Sequence, residues 1–84
     1  IEDDRLSIKN PTQKSIKFYP NPVNNSLNID TDRNDLTYHI YNVMGAQIIS
    51  TNSKSINVSH LNKGIYIIKS VSNETHYVGR FIKN

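Results

Sequence analysis

Apolar and polar positions alternate along most of this chain, and the alternation comes in short bursts separated by polar turns. In residues 15–19 the period of two places Ile16 and Phe18 on one face of a strand. Pro20-Asn21-Pro22 ends that burst, since neither proline can donate to a ladder and each pushes its predecessor toward extended backbone. Asn24-Asn25 turns the chain into a second strand over 26–30, with Leu27 and Ile29 inward. A polar loop over 31–35 precedes a third strand over 36–42, which buries Leu36, Tyr38 and Ile40. Met44-Gly45 reads as a hairpin turn into 46–50, and a further loop leads to a strand over 55–58.

Leu61-Asn62-Lys63-Gly64 then forms a corner that delivers the chain into an aromatic-aliphatic run over 64–71. Glycine suits that corner because it alone visits positive φ without a steric penalty. Tyr66 and Ile68 share the inward face of this run. Ser72-Asn73-Glu74 turns into a last strand over 76–83, where Gly79 interrupts the pattern. Val78, Phe81 and Ile82 are therefore expected to share a face only through a bulge. Residues 59–62 have room for one helical turn and no more.

About seven short strands at roughly ten-residue spacing predict an all-β, immunoglobulin-like antiparallel β-sandwich. In that fold a corner tyrosine stands two residues before the position that antibodies fill with cysteine; here it is Ile68, and the chain has no cysteine. Residues 1–14 are polar and broken by Asn10-Pro11, so they read as a linker from a preceding domain, with the domain itself over 15–84. The chain opens on Ile1, as expected of a piece of a longer precursor. No apolar run has the length of a membrane span.

Charge changes the picture little. The net charge is +3, with Lys54, Lys63, Lys69, Arg80 and Lys83 opposed only by Glu74 after residue 52. That asymmetry fits a solvated basic face or an acidic partner. Lys69, Arg80 and Lys83 with Tyr66, Tyr77 and Phe81 are too weakly charged for a phosphate-driven binder, and the aromatics serve better as core, so no nucleic acid is expected.

Asp30-Thr31-Asp32-Arg33-Asn34-Asp35 begins like a calcium loop. It places Asp35 where the glycine belongs and Tyr41 where the bidentate glutamate belongs, so it reads as a solvated loop. His39, His60 and His76 share no metal-ligand spacing, and neither a nucleophile elbow nor a glycine-rich phosphate loop is present. Neither an enzyme nor a bound cofactor or metal is expected.

Four features in order carry a family resemblance. They are Phe18-Tyr19-Pro20-Asn21-Pro22 with Leu27-Asn28-Ile29, and Tyr41-Asn42-Val43-Met44-Gly45. Ile56-Asn57-Val58-Ser59 leading to Leu61 and Gly64-Ile65-Tyr66 follows, and then the basic end Arg80-Phe81-Ile82-Lys83. Over residues 16–84 the chain resembles the type A C-terminal sorting domain of the type IX secretion system of Bacteroidetes. The resemblance implies a C-terminal signal that directs a larger N-terminal cargo across the outer membrane after transit through the periplasm.

Its implied partners are the outer-membrane translocon with its shuttle components and a sortase-like surface protease. Its implied destination is the cell surface or the medium, the cargo being anchored or released. Gly64, Tyr66, Arg80, Phe81, Ile82 and Lys83 are the expected recognition residues, with Tyr19, Pro20, Asn21, Pro22, Gly45 and Leu61 as structural motif positions. Asn84 departs from members that end on the lysine. A carbohydrate-binding or adhesive module, or an inert spacer, is the alternative; the first would show a row of exposed aromatics on one sheet face.

Overall fold

The computed structural model describes residues 12–72 and 75–84, and among them eight strands form two sheets. The strands are β1 (Thr12–Ser15), β2 (Phe18–Tyr19), β3 (Ser26–Ile29), β4 (Tyr38–Tyr41), β5 (Gln47–Thr51), β6 (Ser55–Asn57), β7 (Gly64–Ser72) and β8 (Thr75–Lys83). The larger sheet runs β1-β8-β7-β4-β5 and the smaller β2-β3-β6. The chain therefore crosses between layers after β1, β3, β5 and β6, which is what makes the architecture a sandwich.

Inward positions of both sheets meet in one core. Leu27, Ile29 and Ile56 come from the small sheet; Tyr38, Ile40, Tyr66, Ile68 and Phe81 come from the large one. Val23, Leu36 and Val58 close it from the connections. Burying each such side chain contributes roughly 1.5–3 kcal/mol, which a disulfide-free domain of this size depends on. The alternation of Leu27/Ile29 and of Leu36/Tyr38/Ile40 is as the sequence predicts.

Four expectations change. The burst over 15–19 is two strands, with Ser15 ending β1 in the large sheet and Phe18 opening β2 in the small one. Most of the expected linker, residues 1–11, lies outside the described residues, whereas Thr12–Ser15 pairs with β8 in register from Thr12–Thr75 to Ser15–Val78. That pairing is parallel, so the sandwich is not antiparallel throughout. Gly79 makes no bulge in the β7–β8 ladder, which runs unbroken from Gly64–Lys83 to Ser72–Thr75. Phe81 faces the core while Val78 and Ile82 face outward; the register shift falls instead between Ile40 and Tyr41 in the β4–β5 pair. Residues 58–61 make a single turn, with the Leu61 N–H donating to the Val58 carbonyl at 3.0 Å.

Candidate functional site

The corner before β7 has the geometry its residues imply. Gly64 takes a φ of +151°, and a Cβ there would meet nothing within 4 Å, so backbone conformation rather than space calls for glycine. The buried Tyr66 turns its hydroxyl back to donate to the Asn62 carbonyl at 2.7 Å, which fastens the corner to the strand it starts. Its ring stacks on Phe81 at 5.5 Å between centroids, and Phe18 meets the same Phe81 edge-on at 6.2 Å. Such aromatic pairs add about 0.5–1.5 kcal/mol beyond area burial. Gly79 explains how Phe18 fits: a Cβ on it would lie 2.5 Å from Phe18 Cε2. The glycine in β8 is a seat for the ring of β2.

The other side of β8 is closed by the chain that follows β1. The Ile16 N–H donates to the Val78 carbonyl at 3.0 Å, continuing the β1 ladder by one step. Pro20 and Pro22, both preceded by cis peptide bonds, bracket Asn21 and bring no N–H to the next stretch. Asn21 supplies a side chain instead: its Oδ1 accepts from the Ile82 N–H at 2.9 Å, while its Nδ2 lies 3.5 Å from the Arg80 carbonyl. Val23 then donates to the Ile82 carbonyl at 2.8 Å and accepts from the Asn84 N–H at 3.0 Å. The last strand is therefore an interior strand along its whole length, and the large sheet's open edges belong to β1 and β5.

The six expected recognition residues do not form one exposed surface. Tyr66 and Phe81 are core residues, and Gly64 is half-buried. Lys83, one of the expected recognition residues, is only 8 % exposed because its side chain points to the inner face; its Nζ donates to the Asn84 carbonyl at 2.9 Å. Arg80 and Ile82 alone of the six are exposed. Among the motif positions, Gly45 holds φ at +90° in the β4–β5 turn, where Asn42 Oδ1 accepts from the Met44 and Ala46 N–H groups, each at 3.0 Å. That turn holds Met44 89 % exposed. Leu61 packs against the core, and Tyr19 stands in solvent.

Sequence reasoning missed Val23, whose only signal is an apolar residue directly after the second proline. It also missed Arg33. From the 31–35 loop, the Arg33 guanidinium grips the Asp35 carboxylate at 3.1 and 2.8 Å and donates to Ser72 Oγ at 2.7 Å and Tyr77 Oη at 3.3 Å. The hydrogen bonds to Asp35 and Tyr77 raise the Arg33 pKa, and the same guanidinium holds the Asp35 carboxyl below the usual carboxylate range. Burial, and after it the nearby Asp35 charge, pushes the Tyr38 hydroxyl up. With Asp35 engaged by Arg33, the loop is a staple onto the β7–β8 hairpin. No group of three His, Asp or Glu side chains able to hold a metal occurs among the described residues.

A family model for the secretion system C-terminal sorting domain matches residues 17–84. The chain belongs to that family. No curated protein matches it. The sorting-domain match begins after β1, yet β1 completes the sheet on which the matched residues lie. The family is one of sorting signals for type IX secretion, which implies export of an N-terminal cargo to the cell surface or beyond and contact with that machinery. Among the described residues no helix is long and apolar enough to cross a membrane. The aromatic row that a carbohydrate-binding face would carry is not there among the described residues: Phe18, Tyr38, Tyr66, Tyr77 and Phe81 all pack on the core.

Proposed function

We propose that this sorting domain is read by the type IX translocon as a folded body, and that its β8 end is the part presented. The family match over residues 17–84 carries this reading. The direction of the strands supports it. β1 starts beside Thr75 and β8 ends at Lys83, eight residues away along one strand, or about 27 Å. Cargo joined before β1 leaves the sandwich at one end, and the Gly64 corner and Lys83 occupy the other. Arg80 and Ile82 are the members of the recognition set that a folded-state receptor touches; Tyr66, Phe81 and Lys83 act by holding β8 in place.

The route runs through the periplasm to the outer-membrane translocon. A surface protease of the sortase-like class then cuts in the polar stretch, broken by Asn10-Pro11, that links cargo to sandwich. Cargo is afterwards anchored or released. The test fuses the full 84-residue chain behind a periplasmic reporter, in strains with and without a working type IX translocon. Translocon-dependent appearance of reporter outside the cell is the expected result; reporter trapped beneath the outer membrane of the competent strain would overturn the reading.

A further inference from the structure

The outer face of the large sheet is unusually apolar for a face turned to water. Strand register lays it out in rows. Ile82 of β8 stands beside Ile65 of β7; Arg80 stands beside Ile67, which stands beside Tyr41 of β4; Val78 stands beside Lys69, which stands beside His39. Beyond them Val71 pairs with His76, and Ile48 lies opposite the Tyr41 end of β4 on β5. Ile65 and Ile82 are each 46 % exposed and Val71 is 55 % exposed. An antiparallel sheet with one solvated face ordinarily alternates apolar-in and polar-out. Here β7 turns Ile65, Ile67 and Val71 outward as well, with Lys69 as the charge among them.

Among the described residues the charge on this face has one sign. Lys69 sits with Nζ 5.3 Å from the Tyr41 ring centroid, and Arg80 is exposed among the isoleucines. None of the rows carries a carboxylate among the described residues. Asp30, Asp32 and Asp35 all belong to the loop before β4, which Arg33 ties to the opposite, hairpin end of the sheet. An apolar centre with exposed cations is what an acidic, apolar-centred protein surface complements, and the missing carboxylates remove what would repel one.

We infer that the outer face of β8-β7-β4, centred on Ile65, Ile67 and Ile82 and rimmed by Lys69 and Arg80, docks an acidic protein surface of the secretion machinery. This rests on the sorting reading above. The isoleucines lie along regular strands and do not protrude as membrane-inserting side chains do, so a flat protein surface fits them better than a bilayer.

The test uses the reporter fused to the full chain, with three variants. One is Lys69→Glu with Arg80→Glu; another is Ile65→Ser with Ile82→Ser. The third, Lys14→Glu with Lys17→Glu, makes the same change in net charge at exposed lysines off this face. The two face variants are expected to lower secreted reporter about tenfold or more, as loss of central or charged interface residues does. The off-face variant should be exported like the parent, and all three should melt within a few degrees of it.

Export of both face variants at the parent level, with parent export still translocon-dependent, would overturn the docking face and leave the sorting reading standing. A parent that is not exported overturns both. Two measurements on the purified chain reassign the face and so overturn the proposal. One is a concentration-dependent dimer by sedimentation that Ile65→Ser with Ile82→Ser dissociates. The other is co-sedimentation with anionic phospholipid vesicles that Lys69→Glu with Arg80→Glu abolishes.

Discussion

The two faces of the β7–β8 hairpin are built from the same kinds of residue and do different work. Inward, Tyr66 and Ile68 on β7 and Phe81 on β8 lose nearly all contact with water, and Gly79 gives up its side chain so that Phe18 can enter. Outward, Ile65, Val71 and Ile82 keep about half of theirs, with no second layer over them among the described residues. Residue type alone does not separate the faces. Phase does: the corner at Gly64 and Tyr66 sets which isoleucines are core and which are surface, and a one-residue slip would exchange them.

If the faces differ in this way, substitutions should sort by face. Phe81→Ala removes a fully buried ring that touches both Tyr66 and Phe18, and should cost about 3–5 kcal/mol. In a domain this small, that should abolish a cooperative thermal transition, followed by circular dichroism. Truncation from Arg80 onward should do the same, so lost export in such a truncation would report unfolding as much as lost recognition.

Gly79→Ala should cost about 1–3 kcal/mol through collision with the Phe18 ring. Combining it with Phe18→Leu should recover part of that loss in denaturant titrations, which ordinary strand propensity would not. Tyr66→Phe keeps the stack and deletes the hydroxyl bonded to Asn62, for a loss of about 1 kcal/mol in the same titrations. Ile65→Ser, one residue away but outward, should change stability by no more than about 0.5 kcal/mol. A larger loss would mean that the outer face takes part in folding.

The smallest effect belongs to the Arg33 staple. The folded-state pKa of Asp35 is depressed, so its contribution is present above the unfolded value of about 3.9 and is lost as pH falls through the lower folded value. Asp35→Asn should therefore lose a small increment of stability at neutral pH, and its difference from the parent should vanish as pH falls through the folded value. Added salt should shrink the difference, because the pair is exposed.

What the sequence made legible is what local periodicity controls. Alternation located β3, β4, β6 and β7 and named the inward residues of β3, β4 and β7. The glycines at 45 and 64 are legible because a turn's demand on φ is local. The rest depends on partners far along the chain. Thr12–Ser15 is polar, so nothing in it announces a strand; it becomes one because β8 has a free edge there. Gly79 looked like a fault in a strand because the ring that fills its place is Phe18, far earlier in the sequence.

Lys83 looked like a displayed cation because charge usually marks exposure, yet its alternation phase is Phe81's, which is inward. Arg33 gave no signal, since Ser72 and Tyr77 lie about forty positions away. For the candidate site, the order of motifs along the chain was readable. Which of their side chains reach solvent was not.

The parallel pairing of β1 with β8 has a mechanical consequence. Tension applied between the cargo side of Thr12 and the far end of Lys83 runs along both strands in opposite senses, so the bonds joining them are loaded in shear and share the force. Peeling would break them singly. Asn21 and Val23 extend that shared load past the end of β1 itself. Force drawn between Thr12 and Lys83 would thus meet the sheet along its strands, the direction in which neighbouring bonds yield together and not in turn.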